Sequence, residues 1–134
     1  MNEENKRENI REEVDRAYEA MKVSDLLLEN GFVKDAVSKL YDAFLYTIRA
    51  LLLTKGIEPK SHEGALRLFS LHFVKKGTFE AKDSHIFSKL MKYREQADYN
   101  PSYMFIREDF IDLKKEADSV IHEITSYLKE KDYL

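Results

Sequence analysis

From residue 106 to residue 128 the apolar positions are Ile106, Phe110, Leu113, Ala117, Val120, Ile121, Ile124 and Leu128, with charge between them. That three-and-four spacing has the period of an α-helix and not the two-residue alternation of a strand. It leaves one greasy stripe that must be covered. The same pattern recurs along the chain. Ile10, Val14, Ala17, Tyr18, Met21 and Leu28 form a stripe, and Gly31 follows as a helix stop. Val37, Leu40, Tyr41, Phe44, Ile48, Leu51 and Leu52 form another, closed by Gly56. Ala36, Ala43, Leu45 and Ala50 make that second helix apolar almost all round, so it belongs at the centre.

Five helices are predicted: about 5–30, 33–55, a short one from Ser61 to Gly77, one from Asp83 or Ser84 to Ala97, and 106–131. Four glycines and two prolines leave little material for strands and tight turns. The short Gly31-Phe32 connection favours an antiparallel hairpin of the first two helices. The expected fold is all-α, an antiparallel up-down bundle of four long helices plus one short one. At 134 residues, with no repeat and no linker, a single domain over 1–134 is expected.

Composition excludes several functions. There is no cysteine, hence no disulfide and no thiolate chemistry. The charged start MNEENKRENIREE has no apolar leader, and no apolar run reaches membrane-spanning length, so a cytoplasmic location is expected. Net charge is −4 over 1–33, +4 over 34–105 and −3 over 106–134. A strongly cationic nucleic-acid coat is excluded, while a local cationic cleft in the middle segment is allowed. Carboxylate-bridged di-iron bundles need a Glu three residues before a His. Pro59, Phe69, Lys82 and Ser119 precede the four histidines at that distance, so no metal site or other cofactor is expected.

The segment YREQADYNP, residues 93–101, is the candidate site. Phe87, Leu90 and Met91 mark an apolar helix face, and Arg94 and Asp98 fall on it, one turn apart. Charge on such a face is costly unless it is paired or faces a cleft. Asn100-Pro101 then ends the helix. Arg94 offers a planar fork suited to phosphate or carboxylate. Asp98 can hold that fork or act as a base. Tyr99 can stack on a base, and Tyr103 flanks the same break. Arg49 is a candidate to line the cleft from the second helix. On spacing alone, an intrahelical Arg94–Asp98 pair that closes the helix end is an equally good account.

Several pieces resemble the prokaryotic branch of the HEPN domain family. KDAVSKLYDAFLYTIRALLLTKGIEPKSHEGALRLF, residues 34–69, is similar to its second helix and following linker, with Tyr41, Ala43 and Phe44 at family positions. His62 stands in the K-S-H element, FVKKG at 73–77 resembles another, and YREQADY at 93–99 resembles the R-x-x-A-D-Y signature. The resemblance implies a helical bundle that homodimerises around a polar cleft. It also implies RNA or nucleotide as ligand and a minimal nucleotidyltransferase as partner in a toxin–antitoxin-type system. Tyr41 and His62 join Arg94, Tyr99, Tyr103 and Arg49 as ligand-binding candidates, and Arg94, Asp98 and Tyr99 are the candidate catalytic set. Active members are metal-independent RNases with a His four to six residues after the Arg. Here, with four to six residues between, those positions hold Tyr99, Asn100 and Pro101, with no histidine. Tyrosine, with a pKa of about 10, is a poor substitute for imidazole. Arg67 and His72 fit the spacing, but five residues put them about 140° apart on a helix. A non-catalytic interaction module, with Arg94 and Asp98 building a dimer or partner interface, is the alternative.

Overall fold

The computed structural model describes residues 2–134. Five α-helices and no strand are present among them: α1 (Glu3–Glu29), α2 (Val33–Leu53), α3 (His62–Phe69), α4 (Ala81–Tyr99) and α5 (Arg107–Glu130). The architecture is the expected helical bundle. None of these helices is long and apolar enough to cross a membrane.

α2 is the central element. It packs against α1, α3, α4 and α5, and Tyr41, Phe44, Ile48, Leu51 and Leu52 on it are fully buried. Burial of large apolar side chains on all sides is what its composition demands. α1 returns on α2 through a Schellman turn: Phe32 N–H donates to Leu27 O at 2.8 Å and Gly31 N–H to Leu28 O at 3.1 Å. Gly31 takes φ +85°, a conformation that costs glycine nothing. Inside the hairpin the Ser24 hydroxyl donates to Ala36 O at 2.7 Å. Buried Lys114 on α5 reaches Asp25 on α1 and Asp118 on its own helix, both at 2.6 Å.

Two long-range contacts bring the α1–α2 turn and the α4–α5 connection to the same end of the bundle. Lys34 Nζ donates to Pro101 O at 2.9 Å and the Arg107 guanidinium to Leu28 O at 2.8 Å. Some boundaries differ from the periodic reading: α2 ends at Leu53, and α4 runs on to Tyr99, past Ala97. The third helix does not run unbroken to Gly77. It widens into a π turn over Ser70–Val74, where Lys75 N–H donates to Ser70 O. That turn stacks Phe69 and Phe73, with Phe79 against both. α4 starts at Ala81, before Asp83, because the Asp83 side chain reaches back to the Glu80 N–H at 3.1 Å.

Candidate functional site: a shared tyrosine between α2, α3 and α4

The helical repeat of α4 sets Arg94 and Asp98 one turn apart, and Arg94 Nε lies 3.3 Å from Asp98 Oδ2. Asp98 is held from a second helix as well. The Ser38 hydroxyl on α2 donates to Asp98 Oδ1 at 2.8 Å. The Arg94 guanidinium sits 5.4 Å from the centre of the Tyr41 ring, a cation–π contact across the α2–α4 seam. Arg94 is neither sealed in nor loose in water: 28% of its side chain is exposed, and 30% of that of Asp98.

Tyr41 is fully buried, with Phe87 of α4 against its ring. Its hydroxyl meets His62 Nδ1 on the first turn of α3 at 2.5 Å, and the two rings are parallel within 3°. Burial pushes the Tyr41 hydroxyl far above its ordinary ionisation range, against the pull of Arg94. It therefore stays protonated. Ser61 caps α3 by accepting the Gly64 N–H at 2.9 Å, which fixes the turn that presents His62. Asp42, one residue beyond Tyr41, is half-buried, and Lys39 lies 4.0 Å away. Burial raises its carboxyl above the usual value, while Lys39, Arg94 and His62 pull it down.

The structure thus joins Arg94, Asp98, Tyr41 and His62 through direct contacts. Tyr99 stands at the end of α4 with 75% of its surface exposed. Tyr103 lies beyond the turn at Asn100 and packs edge-on against Phe105 with ring centres 4.7 Å apart. Arg49 does not join this group. Its guanidinium lies 3.8 Å from Glu13 on α1 and lines a separate hollow of about 300 Å³ with Leu53 and Ile57. Ser38 and Asp42 are the members that sequence reasoning missed. Their signal was available: they are polar positions one turn apart, flanking Tyr41, in a helix otherwise rich in apolar residues. Among the described residues, no cluster of three or more His, Asp or Glu side chains is placed to hold a metal ion.

Comparison with known proteins places these contacts in a family context. The HEPN domain model matches residues 10–129. The protein named "Putative toxin MJ0605" of Methanocaldococcus jannaschii is 33% identical over 122 residues, covering 91% of this chain and 85% of that one. "Putative toxin MJ0142" of the same organism is 33% identical over 123 residues, covering 90% and 78%. A UPF0332 protein of Thermotoga maritima is 30% identical over 115 residues, covering 86% and 87%.

Proposed function

Because the chain belongs to the HEPN domain family, we propose that it acts as a single toxin-like HEPN domain that homodimerises and associates with RNA or a nucleotide. Arg94 takes the phosphate. Asp98, anchored by Ser38, holds the arginine in place and is the candidate base. The exposed ring of Tyr99 offers a stacking face, which every base can use. Apposing this face in two copies would line one cleft with both Arg94 side chains. The working location is the cytoplasm, and a minimal nucleotidyltransferase is the partner the reading expects.

The observation that carries the reading is the state of Arg94. A guanidinium gripped from two sides yet still partly open to solvent is pre-oriented for an anion at little further entropic cost. The test combines light scattering with filter binding of single-stranded RNA and of nucleoside triphosphates by the purified protein. A dimer that retains either ligand, with or without cleavage, is the expected result. A protein that neither retains nor cleaves ends the reading.

A second reading rests on the Ser38–Asp98 bond, which ties the Arg94 pair into the α2–α4 seam. In it the same residues build an interface and hold no ligand. Arg94→Ala then dissociates the dimer. Under the first reading the dimer survives that substitution.

A further inference from the structure

Tyr41 carries two groups that sequence distance keeps apart. The Arg94 guanidinium lies 5.4 Å from its ring centre, and His62 Nδ1 meets its hydroxyl. The hydroxyl is buried and keeps its proton, so it needs an acceptor. A neutral imidazole supplies one only at a nitrogen that carries no hydrogen. With Nδ1 accepting from Tyr41, the hydrogen sits on Nε2. In the opposite tautomer Nδ1–H would donate to the Tyr41 oxygen, and the buried hydroxyl hydrogen would be left without an acceptor.

We infer that His62 is the second phosphate donor of this site: its Nε2–H, held in that tautomer by the Tyr41 hydroxyl, acts with Arg94 on one phosphate group. The inference rests on the reading that the Arg94 face binds RNA or a nucleotide. It adds an imidazole that comes from α3, not from the α4 positions after Arg94. His62 is half-buried on the first turn of α3, where Ser61 and Gly64 fix the backbone. Arg94 and His62 both contact Tyr41, one at its ring and one at its hydroxyl, so the two donors are brought together on a single side chain. Arg94 is a charged fork and His62 Nε2–H a directional donor. Together they would fix both the position and the rotation of a phosphate. Tyr41 touches no ligand in this arrangement and acts as a positioning residue.

The test uses the intact protein with two probes, a fluorescent single-stranded RNA oligonucleotide and fluorescent ATP. Both carry phosphate, and their relative affinities identify the source. His62→Ala and His62→Gln should each be folded by circular dichroism. His62→Ala should weaken the tighter-binding probe about tenfold, the scale of one hydrogen bond to a charged group. His62→Gln, whose amide offers an N–H, should recover part of the loss. Long-range ¹H–¹⁵N correlation spectra should show His62 as the Nε2–H tautomer in the wild type and as a mixture in Tyr41→Phe. That variant keeps the ring beneath Arg94. Wild-type affinity in both His62 variants, with loss in Arg94→Ala, would overturn the inference and leave the proposed function standing. An Nδ1–H tautomer in the wild type would also overturn it. Should the wild type bind neither probe, the functional reading and this inference fall together.

Discussion

Arg94→Ala separates what the arginine does for the fold from what it does for a ligand. Arg94 and Asp98 form a same-helix pair with 28% and 30% of their side chains exposed. Such a pair is worth about 0.4 kcal/mol. The guanidinium over Tyr41 adds about 0.5–1 kcal/mol. Truncation should therefore cost about 1 kcal/mol, or roughly 4 °C in melting temperature for a chain of this size. Loss of a charge-assisted phosphate contact costs about 2 kcal/mol, which is about thirtyfold in Kd. Arg94→Lys should stay nearly as weak, because an ammonium cannot reproduce the fork. Thermal unfolding by circular dichroism and anisotropy with single-stranded RNA measure the two effects side by side. A melting temperature lowered by more than about 10 °C with unchanged RNA affinity would refute the reasoning. It would make Arg94 a structural clamp.

Other substitutions probe the surroundings. Lys114→Ala should destabilise the fold by about 2 kcal/mol in urea titrations, since it leaves the carboxylates of Asp25 and Asp118 facing each other without their shared cation. Its RNA affinity should not change. Asp42→Asn should tighten RNA binding several-fold and should not lower stability, because it removes a half-buried charge beside Arg94; weaker binding would count against the placement of the phosphate. Burial raises the Asp83 carboxyl above its ordinary value, so the folded state binds a proton more readily than the unfolded chain. The contribution of Asp83 to stability therefore grows as pH falls from neutral towards the carboxylate range, and Asp83→Asn should flatten that part of the melting-temperature profile. Parallel profiles for the two proteins would contradict the assignment.

The helices were legible because each long one carries a single stripe against a charged back. α5 lies within two residues of its expected span, and α2 is central as its all-round apolar character demands. The π turn at Ser70–Val74 was not legible. One extra residue in a turn barely disturbs a 3.6-residue period, and the Phe69, Phe73 and Phe79 cluster that accommodates it is tertiary. The start of α4 was missed because Glu80 is not a typical N-cap residue, and Asp83 supplies the return bond.

The site divides in the same way. Arg94 and Asp98 are local partners four residues apart, so spacing brings them together. The contact between Tyr41 and His62 is not local. α2 continues twelve residues beyond Tyr41 to Leu53, about 18 Å along its axis. Residues 54–61 then turn at Gly56 and carry the chain back along α2 to deliver His62. Nothing in a one-dimensional pattern encodes how far such a connection returns. Arg49 shows the converse. Its place on the central helix is legible, but its face is set by Glu13 on α1.

The most direct measurement is photocrosslinking of the intact protein to RNA containing 4-thiouridine, with the adduct mapped by trypsin and mass spectrometry. The account predicts the adduct in residues 95–107, the fragment between Arg94 and Arg107 that carries Tyr99 and Tyr103. Adducts confined to fragments around Glu13 and Arg49, on the separate hollow between α1 and α2, would contradict it.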